Sequence, residues 1–64
     1  MKRKKLKIQR VTLDLTQEQL ANNIGMSRQA INSIEGGKSI PKLSVAFRLA
    51  KFFGMEVEDL FDND

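Results

Sequence analysis

At 64 residues with a formal net charge of +3, the chain has room for one small domain and no second one, burying about 60% of the surface its unfolded form exposes. It contains no cysteine and no histidine, which excludes disulfides, thiol chemistry and zinc-finger sites. With no glycine-rich phosphate loop and no paired carboxylates in a core large enough to perturb them, neither an enzyme nor a metal or cofactor is expected.

Charge is placed unevenly, six positive charges in the first ten residues and five negative ones in the last nine. Residues 1–4 read as a basic tail without hydrophobic period, serving either solubility or the attraction of phosphates. Lys7, Gln9, Arg10, Thr12 and Asp14 break up the apolar positions after this tail, so neither a signal peptide nor a membrane span is expected, and the protein is placed in the cytoplasm. A first helix is predicted from about Lys4 to Leu13, with Leu6, Arg10 and Leu13 on one face at i, i+4 and i+7. Arg10 is a charge in an inward stripe and must be paired to tolerate burial. Asp14 tolerates a left-handed turn, Leu15 suits a hydrophobic staple, and Thr16 with Gln19 makes a capping box that starts a second helix at Gln17. Leu20, Ala21 and Ile24 form its buried face, and Gly25 ends it. Ser27 offers the next N-cap, after which Ala30, Ile31 and Ile34 form a buried stripe and Arg28, Gln29, Asn32 and Ser33 occupy the remaining positions. Gly36, Gly37, Lys38 and Ser39 form a loop, whose far end Pro41 pins by restricting Ile40. A core-filling helix then begins at about Lys42, with Leu43, Ala46, Phe47, Leu49, Ala50 and Phe53 inward, Lys42, Arg48 and Lys51 outward, and Gly54 as its end. Val57, Leu60 and Phe61 support a short fifth helix within Met55 to Phe61, whose cap position holds Glu56, a poor capping residue. The predicted architecture is an all-α, compact five-helix bundle forming a single domain over residues 1–64.

The stretch 16–36, TQEQLANNIGMSRQAINSIEG, reads as two short helices joined by a tight turn, with Ala21 as the small contact that lets them cross steeply. This pattern resembles the phage repressor and Cro-like helix-turn-helix family, also called the xenobiotic-response-element (XRE) family. The matching residues are Gln17, Leu20, Ala21, Gly25, Ser27, Ile31, Ile34, Glu35 and Gly36, and the likeness runs on through Pro41, Ala46, Ala50, Gly54 and Leu60. The resemblance implies a lambda-repressor-like DNA-binding domain. It also implies a partner for Arg10, because a matching arginine in the family pairs with the glutamate that ends the recognition helix, here Glu35.

Ile31, Ile34, Leu20 and Ala21 are needed for a core whatever the chain does, so the functional signal lies on the opposite face. Ser27, Arg28, Gln29, Asn32 and Ser33 include no acid, and Ser and Asn cost helix propensity that a purely structural surface has no reason to give up. Arg28 and Gln29, near the start of the recognition helix, have the chemistry to bind guanine and adenine edges in the major groove. Asn32 and Ser33 could touch a neighbouring base or only the backbone. Gln17, with its amide and the helix N–H groups taken as free, suits a phosphate, and Lys38 and Ser39 match a second phosphate-contact region in the family. The expected function is a sequence-specific regulator of transcription, a repressor in preference to an activator, binding a pseudo-palindromic operator on double-stranded DNA as a homodimer. No membrane partner or small-molecule substrate is expected. Phe52, Met55, Val57, Leu60 and Phe61 are the candidate dimerisation surface, flanked by the acids Glu58, Asp59, Asp62 and Asp64. The alternatives are an antitoxin-type regulator that also binds a protein partner, and a pure protein-interaction module.

Overall fold

The computed structural model describes residues 4–61 and arranges them as five helices: α1 (Lys4–Thr12), α2 (Gln17–Ile24), α3 (Arg28–Glu35), α4 (Leu43–Phe53) and α5 (Val57–Leu60). Most of the expected tail, residues 1–3, and the acids Asp62 and Asp64 lie outside the described residues, while Lys4 already belongs to α1. No helix among the described residues is long and apolar enough to cross a membrane.

Local chemistry sets the helix boundaries. At α2 the capping box is complete: Gln19 N–H donates to Thr16 Oγ1 at 3.0 Å and Thr16 N–H donates to Gln19 Oε1 at 2.9 Å. At α3, Ala30 N–H donates to Ser27 Oγ at 3.1 Å. Four helices end by the same device, a residue with positive φ followed by one whose N–H reaches the carbonyl five residues back. The left-handed residues are Asp14 (φ 61°), Gly25 (φ 72°), Gly37 (φ 76°) and Gly54 (φ 68°). The closing bonds run from Leu15 to Arg10 at 3.1 Å, Met26 to Ala21 at 2.8 Å, Lys38 to Ser33 at 2.9 Å and Met55 to Ala50 at 2.9 Å. Asp14 does for α1 what glycine does for the others, its short side chain being tolerated in that region.

The core joins all five helices through Leu6, Leu20, Ala21, Ile24, Ile31, Ile34, Leu49, Ala50 and Leu60. Ala21, Ala46 and Ala50 are buried small residues that let backbones approach, and α2 against α3 forms the motif itself. Met26, Val45, Phe52, Phe53, Met55, Val57 and Phe61 pack around this centre, with the rings of Phe52 and Phe53 edge to face at 5.1 Å.

Several expectations require correction. Leu13, expected inward with Leu6 and Arg10, is half exposed: it follows the last residue of α1, its N–H still bonded to Gln9 O at 3.2 Å, and directly precedes the left-handed Asp14. Leu43 and Phe47, expected inward, stand on the flank of α4, since the inward stripe is only as wide as Ala46, Leu49 and Ala50. Leu60, expected at a dimer surface, is 1% exposed and completes the core of the single chain. Arg48 is exposed as a residue, yet its Nη1 donates to Ile24 O at 3.3 Å, so it ties α4 to the C-terminal end of α2, where a cation also complements the helix dipole.

Candidate nucleic-acid interface

The eight residues of α3 divide cleanly. Ile31, Ile34 and Glu35 are buried and Ala30 is half-buried, which leaves Arg28, Gln29 and Asn32 exposed at i, i+1 and i+4 on one face, with Ser33 half-buried at its margin. No acid lies on that face, since Glu35, the acid of this helix, points inward. Among the described residues neither Arg28 nor Gln29 is held by a hydrogen bond or ion pair, so both side chains can reach outward from the first turn. Ser27 is exposed and its oxygen caps the helix, leaving the hydroxyl hydrogen as a donor. Lys38 and Ser39, both exposed, follow α3 in the loop.

Behind this face sits a buried polar network. Arg10 Nε donates to Glu35 Oε2 at 2.6 Å and Arg10 Nη2 to Glu35 Oε1 at 3.2 Å, a two-pronged contact in which the side chains are 10% and 6% exposed. The third guanidinium nitrogen, Nη1, donates to Leu15 O at 2.6 Å. Gln17 Nε2 donates to Glu35 Oε1 at 3.2 Å. One carboxylate therefore gathers donors from α1 and α2 onto the end of α3. A groove lined by Lys7, Arg10, Gln17, Asn32, Glu35 and Gly36 opens over this network.

The Gln17 bond corrects the expectation that its amide is free. The side chain is half-buried and one of its two amide donors is committed to Glu35, so what remains at the start of α2 is the second amide hydrogen, the amide oxygen and the backbone N–H groups of Gln17 and Glu18, Gln19 N–H being taken by Thr16. Those N–H groups still suit an anion, and Glu18 sits in the same turn, where the helix N-terminus favours an acid. Eighteen residues separate Gln17 from Glu35 and twenty-four separate Arg48 from Ile24. No local pattern signals either contact. Of the expected dimerisation residues, Phe52, Met55, Val57 and Phe61 are half-buried and packed against the core.

A family model described as helix-turn-helix matches residues 6–60. The chain is 54% identical over 57 residues to an uncharacterized HTH-type transcriptional regulator of Methanocaldococcus jannaschii, covering 89% of this chain and 86% of that one. It is 39% identical over 56 residues to the cryptic phage CTXphi transcriptional repressor RstR of Vibrio cholerae, which covers 88% of this chain and 50% of RstR. It is also 37% identical over 60 residues to the HTH-type transcriptional activator BcrR of Enterococcus faecalis, covering 94% of this chain and 29% of BcrR. Capped α2, the glycine turn, α3 with its acid-free face and this match over nearly the whole chain lead to one conclusion: the protein belongs to the XRE-type helix-turn-helix family of DNA-binding transcriptional regulators.

Proposed function

We propose that the chain reads an operator half-site by laying α3 in the major groove, and that it does so as a homodimer acting as a repressor. The observation that carries the reading is the exposed Arg28, Gln29 and Asn32 face, free of acids and braced from behind by Arg10, Gln17 and Glu35. Arg28 has the fork to meet guanine O6 and N7, and Gln29 the amide to meet adenine N6 and N7. Asn32 and Ser33 add a base or backbone contact one turn on. Ser27, Lys38, Ser39 and the start of α2 at Gln17 supply phosphate contacts that fix register without reading sequence.

A single α3 covers only a few base pairs, so two copies on a pseudo-palindrome, about 34–36 Å apart, are needed for useful discrimination. Repression needs no further surface, because occupancy alone excludes polymerase, and the relative RstR is named a repressor. A promoter carrying the selected operator decides the direction: reporter output that falls when the chain is expressed supports repression, and output that rises contradicts it.

A further inference from the structure

The groove over the Arg10 and Glu35 pair takes its walls from three helices: Lys7 and Arg10 from α1, Gln17 from the first residue of α2, and Asn32 and Glu35 with Gly36 from α3 and its end. Its volume is about 240 Å³, enough to admit a phosphodiester group. The charges of the lining do not cancel. Its acid, Glu35, is committed to Arg10 through two bonds and to Gln17 through one, which leaves the charge of Lys7 unbalanced. Lys7 and Asn32 are exposed, and among the described residues neither side chain holds a hydrogen bond or ion pair. Gln17 keeps one amide hydrogen beyond the bond to Glu35. Glu18, the next residue of α2, is absent from the lining, because successive residues of a helix do not share a face.

We propose that Lys7, Gln17 and Asn32 clamp one phosphate of the DNA backbone in this groove, so that α1 takes part in DNA contact and Asn32 holds the backbone and reads no base. The inference rests on the major-groove reading of α3 above and adds a residue and a site to it. Donor chemistry selects the ligand. An ammonium and two amide donors border one groove whose carboxylate is already turned to a guanidinium, so the group that fits is an anion with several acceptor oxygens. Position selects its source. Asn32 lies one turn after Arg28 on α3, so a duplex whose bases meet Arg28 and Gln29 brings one strand across this side of the helix. The Arg10 and Glu35 pair fixes Gln17 before DNA arrives, which lowers the ordering cost of the contact. A phosphate held from α1, α2 and α3 together sets the angle at which α3 enters the groove.

Methylphosphonate scanning, in which one backbone phosphate at a time is made neutral, tests this with the full chain on a duplex that the wild type enriches from a random pool. One position per half-site should cost the wild type roughly 10-fold in affinity, and the same position should cost Lys7→Ala and Asn32→Ala about 3-fold or less. Each variant should weaken binding to all duplexes alike. Lys7→Ala should also lower the salt slope by about 0.9 for each bound copy, and Lys7→Arg should keep it. Lys51→Ala removes the same charge from the last turn of α4 and should leave the scan and the slope nearly unchanged. Lys7 and Asn32 are exposed, so both variants keep the core, and circular dichroism checks that they fold. Equal losses in wild type and Lys7→Ala at every phosphate overturn the clamp. Relaxed preference at one base pair in Asn32→Ala makes Asn32 a base reader and overturns its place in the clamp. In both of these outcomes base reading by Arg28 and Gln29 stands. If the wild type enriches no duplex, the operator reading falls and the clamp with it.

Discussion

Arg28, Gln29 and Lys38 are all exposed and polar, yet their chemistry assigns them different consequences. Arg28→Ala or Gln29→Ala should cost roughly 1–3 kcal/mol on the preferred operator and relax preference at one base pair. Lys38→Ala should weaken binding to all sequences alike and flatten the salt slope by about one. Binding isotherms on matched and single-substituted duplexes at two salt concentrations separate the two patterns. Equal losses on every duplex would make Arg28 and Gln29 backbone contacts. Arg10 and Glu35 act on the fold, because removing one leaves a buried charge without its partner. Arg10→Ala or Glu35→Ala should destabilise by about 3–5 kcal/mol, a large part of the total for so small a domain. The double variant should cost less than the sum of the two, and additive losses in thermal unfolding would mean that the pair is not coupled.

At the scale of the helices, stability depends on how each one starts and stops. Gly25 and Gly54 both have positive φ and nothing within 4 Å of the place a Cβ would occupy, so alanine there meets backbone strain and no clash. Gly25→Ala and Gly54→Ala should therefore cost similar amounts, roughly 1–2 kcal/mol each, and Thr16→Ala about 1 kcal/mol through the lost cap. Urea unfolding with an unchanged slope checks this, and a much larger loss at one glycine would reveal a packing role there. These ends are legible in the sequence because a cap or a turn is decided by residues within five positions: Thr16 with Gln19, Ser27, Asp14, Gly25 and Gly54 each carry their own reason. The width of a buried face is decided elsewhere. Leu43 and Phe47 look inward on a helical wheel, but Ala46, Leu49 and Ala50 already fill the contact and leave the flank in water. Gln17 and Arg48 escape a local reading for the same reason, since the groups that engage them, the Glu35 carboxylate and the Ile24 carbonyl, are distant in the chain. Asn32 and Ser33 differ in exposure although both lie opposite the core stripe, a distinction that spacing on α3 alone does not draw.

For the whole molecule, size and charge decide how the recognition helix can be used. The described chain spans 24 × 24 × 21 Å, so two copies in direct contact can hold their α3 helices about one turn of DNA apart. The exposed Glu56, Glu58 and Asp59 favour an orientation that keeps α5 away from phosphates. Such a small core leaves little reserve, and the Arg10, Gln17 and Glu35 network ties the end of α3 to α1 and α2. On the proposed function, α3 reads operator DNA in pairs. Selection of bound duplexes from a random pool, carried out with the unmodified chain, tests it most directly. Enrichment of two inverted half-sites with centres about one helical turn, roughly 10 base pairs, apart is expected; a selected pool indistinguishable from the starting one would rule out operator reading by α3.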